Sequence, residues 1–374
     1  MKVDFRSVLG AVGLMCLVGC GGHLNVGGDP EGDGETAGKN NGGGGGGRPS
    51  HGGRGGMGGS PGGAGGAAGS PGSSGSPGAE AGAPTGPVGP DGTPAESCAS
   101  LVVDGGIFFD SDRADFNRDI YVVHPDGSGL ERLTDDPAED REPSLSPDGR
   151  ILAFTSTRAG SEQIFLLDIA TREVTQFTHL EAGASQPSFS PDSQTVTFHS
   201  GISVYVQALG GSAPRQVATG PNQDTPYSWP QFSADGSELL FDRYNLIDAL
   251  KLDSSTQRSV IESSTTAIQT PAVSRSGTEV AYQIMCEQVK YSVWTAPIAK
   301  SSQPCVDGRR VTPLSDRAAR QPTWGPNQLI AYESEENGGT ASRIALVSRE
   351  KGKVHCYVTD DGWSDRNPSW SGSH

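Results

Sequence analysis

Six dipeptides precede six regularly spaced prolines, and their side chains suit the capture of carboxylates and apolar groups. They are Arg141-Glu142, Ser185-Gln186, Ser228-Trp229, Gln269-Thr270, Arg320-Gln321 and Arg366-Asn367. Arginine forks pair with carboxylates through two parallel hydrogen bonds, and a tryptophan adds a broad apolar face with a single donor. Nucleophilic or metal chemistry has less support. His124, His179, His199 and His355 are scattered, no HxH or HxxxH pair exists, and neither a metal nor a cofactor is predicted. A Ser-His-Asp set drawn from distant segments leaves no linear signature. The alternative to pure binding is therefore a hydrolase or lyase acting on glycans from a central channel. The segment Asp110 to Asp119 gathers the oxygen ligands that calcium takes, but Arg113 and Arg118 lie inside it and the glycine of a calcium loop is missing. It reads as a solvated loop between strands.

Those dipeptides need a scaffold, and an internal repeat supplies it. PSLSPD starts at Pro143, PSFSPD at Pro187, PQFSAD at Pro230, PAVSRS at Pro271, PTWGPN at Pro322 and PSWSGS at Pro368, with successive spacings of 44, 43, 41, 51 and 46 residues. Inside the clearest repeat, ILAFTS, QIFLLDI and VTQFT follow the SPDGR turn, so each repeat holds four short strands. A period of this size with four strands is that of a propeller blade. Residues 107–134 look like the second, third and fourth strands of a blade without a first, and Pro368 onward offers a first strand alone. The two halves predict a sixth blade, shared between the ends of residues 98–374, that closes the ring. In that ring the dipeptides encircle one channel mouth. Arg141, Arg320 and Arg366 fall in consecutive blades and form a basic arc, with Gln186, Trp229, Gln269, Gln321 and Asn367 completing the rim. Each arginine has a second possible role, pairing with Asp140, Glu142 or Asp365 to hold the rim together. Trp294, Trp324, Trp363 and Trp370 are expected to pack between blades.

The first 97 residues are of another kind. Lys2 and Arg6 precede an apolar stretch from Val8 to Gly19, too short to span a bilayer. LVGC at residues 17–20 resembles a lipobox, which implies cleavage of residues 1–19 and lipid on Cys20; Gly21 after it favours the outer membrane. Residues 20–97 are rich in Gly, Pro and Ser and hold too little apolar surface to fold, so they read as a tether spanning roughly 50 Å. GGSPG at residues 58–62 matches a nucleophile-elbow pattern without the strand and helix that the mechanism requires. With a net charge of −16, the chain is a poor partner for nucleic acid. Cys98, Cys286, Cys305 and Cys356 remain for two disulfides, with three connectivities open. The long fourth repeat favours Cys286 with Cys305, which leaves Cys98 with Cys356.

The order SPDG, a strand ending in S-x-R, an acidic or glycine-bearing loop, and then IY or IF resembles the repeats of TolB-type propellers. FTSTRAGSEQIFLLD and FFDSDRADFNRDIYVV carry the resemblance best. It implies an all-β, six-bladed propeller that receives a protein or peptide segment at its mouth. A non-enzymatic, monomeric binding or scaffolding lipoprotein of the cell envelope is the expectation. TolB carries an α/β domain before its propeller; this chain has the glycine-rich segment there.

Overall fold

The computed structural model describes residue 98 and residues 103–114, 116–211, 213–286, 290–299, 301–312, 318–335, 341–349 and 354–370. The expected leader, Cys20 and the glycine-rich segment lie outside the described residues, as does Asp115.

The described residues form six four-stranded antiparallel sheets, the blades of a propeller. Their innermost strands are β4 (Asp140–Leu145), β8 (Ser185–Phe189), β12 (Ser228–Phe232), β16 (Ile268–Val273), β20 (Ala318–Trp324) and β24 (Asp365–Trp370). Each neighbours the next around the ring, and β24 returns to β4. These strands head blades I to VI in chain order. Blade VI combines β24 with β1 (Ile107–Ala114), β2 (Asn117–Val123) and β3 (Glu131–Arg132), so opposite ends of the described chain share one sheet.

Strand alternation explains the packing. Each sheet buries side chains on both faces, and the buried apolar residues fall into six clusters, one at each seam between blades. At the seam of blades VI and I, for example, Phe108 and Ile120 meet Leu152, Phe154, Phe165 and Leu167. Trp324 of blade V packs on blade IV, and its indole N–H donates to the Ala272 carbonyl at 3.0 Å. Trp370 joins the seam of blades V and VI, facing Gly325, where a Cβ would stand 2.5 Å from the indole. Trp294 is partly buried against the seam of blades III and IV. Trp363 departs from the expectation: it sits in the loop before β24, edge-on to Phe116 at 6.1 Å, because the strand begins only at Asp365.

The SPDG turn forms as its residues dictate. Gly149 takes φ +75°, and Asp148 accepts hydrogen bonds from the Ser146 hydroxyl and the Arg150 N–H. Two disulfides fasten the ring. Cys98 bonds Cys356 with a Cα separation of 5.2 Å, and Cys286 bonds Cys305 at 5.9 Å. The second spans the insertion of the long fourth repeat, where Cys305 lies on a short helix, α1 (Pro304–Asp307).

Candidate functional site: the channel mouth

Every innermost strand carries the same irregularity. Its pairing with the second strand slips across two residues, which are the pre-proline residue and the proline. The six pre-proline residues, Glu142, Gln186, Trp229, Thr270, Gln321 and Asn367, all have φ between 47° and 59°, a left-handed conformation that such side chains seldom adopt. The bulge removes both residues from the ladder. Proline has no N–H to lose, so the only orphaned donor is the pre-proline N–H, and buried donors need an acceptor.

A side chain of the preceding blade provides that acceptor in all six cases. Asp110 accepts the Glu142 N–H at 3.2 Å, Glu142 accepts that of Gln186 at 2.9 Å, and Gln186 accepts that of Trp229 at 2.8 Å. Asp242 accepts the Thr270 N–H at 2.7 Å, Gln283 that of Gln321 at 3.1 Å, and Gln321 that of Asn367 at 3.2 Å. The Asn367 amide closes the belt by donating to Asp110 at 2.6 Å. The belt thus fixes each blade's inner edge to its neighbour around the channel.

Above the belt lies the mouth, a cavity of about 250 Å³ lined by Arg118, Arg141, Glu142, Trp229, Gln269, Thr270, Gln283, Arg320, Gln321, Glu333, Glu335, Arg366 and Asn367. The structure therefore brings Arg141, Arg320 and Arg366 to one entrance with Trp229, Gln269, Gln321 and Asn367. Gln186 sits deeper, where the belt residues and prolines narrow the channel.

The arginines are paired, though not with the partners their sequence neighbours suggest. Arg141 contacts Glu162 and lies 3.7 Å from Glu139, Arg320 is 3.2 Å from Glu335, and Arg366 is 3.8 Å from Glu333. Asp140 and Asp365 are taken instead by Arg158 and Arg113, each at 2.7 Å. Those two are the arginines of the S-x-R motif, and the serine of each motif accepts from the same guanidinium at 2.9 Å. The motif is thus a clamp: it reaches from the end of the second strand to the buried aspartate that opens the first. In the segment Asp110 to Asp119, Arg118 pairs with Asp110 at 2.5 Å, Arg132 with Asp119 at 2.7 Å, and Asp112 accepts the Ser364 N–H. Those acidic side chains brace the fold around them.

Burial tunes the carboxyls. Asp242 is 3% exposed with the Thr270 N–H as its main compensation, and burial pushes it up to about 8. Glu333 is likewise 3% exposed; burial raises it to about 7 against the lowering pull of Arg366. Burial also raises Glu142, opposed by its hydrogen bonds from Thr155 and Gln186. His199 is pushed down by burial, with the Ser185 hydroxyl 3.5 Å from its Nδ1.

Sequence reading missed one ring of residues. Asp110, Thr155, His199, Asp242, Gln283 and Glu333 each follow a buried aromatic residue in the second strand of a blade. Asp110, Thr155, Asp242 and Gln283 accept pre-proline N–H groups, and Gln283 and Glu333 line the mouth. The signal was the aromatic–polar pair repeated as FD, FT, FH, FD, YQ and YE.

A closed six-bladed ring with a polar, arginine-bearing mouth defines a β-propeller. Comparison with known proteins narrows it: residues 104–201 match the TolB beta propeller domain family, and the chain carries a TolB-like six-bladed propeller. It is 46% identical over 55 residues to the protein TolB homolog of Chlorobium luteolum, covering 15% of this chain and 13% of that one. It is 30% identical over 125 residues to the Tol-Pal system protein TolB of Nitratidesulfovibrio vulgaris, covering 33% and 28%. The chain thus matches well under a third of the length of these relatives. In structure it is similar to TolB from Acinetobacter baumannii, with a TM-score of 0.58 at 18% identity over 71% of this chain and 66% of that one. A putative TolB from Agrobacterium tumefaciens gives 0.54 at 15% identity, over 72% and 94%.

Proposed function

We propose that this chain is a non-enzymatic binding or scaffolding protein of the cell envelope, and that its channel mouth captures a carboxylate-bearing protein or peptide segment. The observation that carries the reading is the convergence of Arg118, Arg141, Arg320 and Arg366 on one cavity with Trp229. An incoming carboxylate competes with Glu333 and Glu335 for Arg320 and Arg366, whose side chains are about two-fifths exposed, and Trp229 offers an apolar anchor. Similarity to proteins named as TolB supports a protein partner in the envelope. Lipid on Cys20 and outer-membrane placement belong to the same proposal, resting on the LVGC sequence.

The test is capture from a periplasmic extract by the immobilised propeller. Wild type retains a partner; Arg320→Glu with Arg366→Glu loses it while the melting temperature stays within a few degrees. Unimpaired capture by the double variant removes the mouth as the site.

A further inference from the structure

The charge balance of the mouth carries a consequence for how it binds. Four guanidiniums, of Arg118, Arg141, Arg320 and Arg366, face three carboxyls, of Glu142, Glu333 and Glu335, inside one cavity. Glu333 is the most enclosed of these carboxyls. It sits on β21 (Leu329–Glu335), directly opposite Arg320 of β20 in the pairing register. Its one ion pair among the described residues runs to Arg366 of β24 at 3.8 Å, beyond hydrogen-bond reach, while the Arg366 Nε is already held by the Ser364 hydroxyl at 3.1 Å. Asp110 of β1 and Glu335 of its own strand add negative charge on the other sides. Glu333 is therefore a buried carboxyl whose charged form is supported by Arg320 across the strand pair and by a loose contact with the Arg366 guanidinium that the ligand would take.

We propose that the mouth captures its carboxylate-bearing segment together with a proton, Glu333 being protonated from solvent as the ligand's carboxylate takes over Arg366. The inference rests on the proposed function of the mouth. The exchange balances: one anion enters, one proton follows it from water onto a Glu333 oxygen, and the net charge of the cavity is unchanged. Two anions sharing one guanidinium beside a carboxyl as buried as Glu333 would otherwise repel, and a buried carboxylate that loses its cation is costly. The free protein is already poised for this step, because burial holds Glu333 near 7. The ligand's negative charge raises it further, so the complex holds more protons than its separated parts at and above neutral pH. By linkage, affinity falls as pH rises above about 7, by up to ~10-fold per pH unit until the raised value in the complex is passed.

Calorimetric titration of the full chain with a capped Gly-Phe-Glu-Asp-Phe-Gly peptide, at pH 7.5 in two buffers of different ionisation enthalpy, measures the exchange directly. The expected result is net proton uptake by wild type, none in Glu333→Gln, and unchanged uptake in Asp242→Asn, whose carboxyl lies outside the mouth cavity. If Glu333→Gln does not fold, wild type titrated at pH 5.5 serves, since Glu333 already holds its proton there in the free protein and the uptake should disappear. Binding without proton uptake, or uptake that vanishes in Asp242→Asn, overturns the inference and leaves the mouth as a binding site. No binding of the peptide between pH 5.5 and 8.5 removes the carboxylate reading itself, and this inference with it.

Discussion

Blades VI and III meet the same structural demand with opposite electrostatics. Each places a buried aspartate after an aromatic residue on its second strand, and each aspartate accepts the pre-proline N–H of the next blade. Asp110 in blade VI also holds Arg118 at 2.5 Å and the Asn367 amide at 2.6 Å. Asp242 in blade III has the Thr270 N–H as the one compensation opposing its burial, and it is pushed up to about 8. In these two blades the aspartate serves as the belt acceptor whether or not a cation is paired with it. Asp110 has an arginine counter-charge on the side where arginines cluster, whereas Asp242 on the opposite side has none among the described residues and is pushed up by burial.

The same isosteric substitution should act with opposite sign at the two sites. Asp110→Asn removes the counter-charge of Arg118, whose side chain is 16% exposed, and is expected to destabilise the ring by about 3 kcal/mol. Denaturant unfolding at pH 7 measures it, and a loss below about 1 kcal/mol would show that the pair is not needed. Asp242→Asn keeps an oxygen for the Thr270 N–H and removes only the option of ionising. Because the folded value of Asp242 lies above its ordinary one, the folded state holds the proton after the unfolded chain has released it. Stability from this group is greatest near pH 4 and is lost as pH rises to about 8, by an amount on the order of a few kcal/mol. The variant should therefore melt progressively higher than wild type as pH is raised from 5 to 8. A difference that stays flat over that range would place Asp242 in a more solvated setting than its burial implies.

Periodicity made the ring legible. The leading prolines mark all six inner strands, and the predicted strands 151–156, 163–169 and 174–178 meet the observed Ile151–Ser156, Gln163–Asp168 and Val174–Gln176 with only frayed ends. The convergence of Arg141, Arg320 and Arg366 also followed from counting, because equivalent positions in consecutive repeats must be neighbours once the ring closes. Their ion-pair partners did not follow. Asp140 and Asp365 are adjacent to Arg141 and Arg366 in sequence, but adjacent residues in a strand point to opposite faces, and the S-x-R arginines reach those aspartates from the neighbouring strand. The reason for the prolines was hidden too, since it lies in a bulge whose one free N–H is satisfied from another blade. Trp363 was misplaced because a loop tryptophan and a strand tryptophan look alike when only the repeat spacing is read.

Entry of a partner at the mouth is tested most directly by crosslinking. A photo-reactive residue placed at Gln269, on the rim in the blade next to Arg320, should crosslink to a protein captured from envelope extract, whereas the same residue at Thr175, on the exposed outer edge of blade I, should not. Crosslinking from Thr175 and not from Gln269 would contradict it.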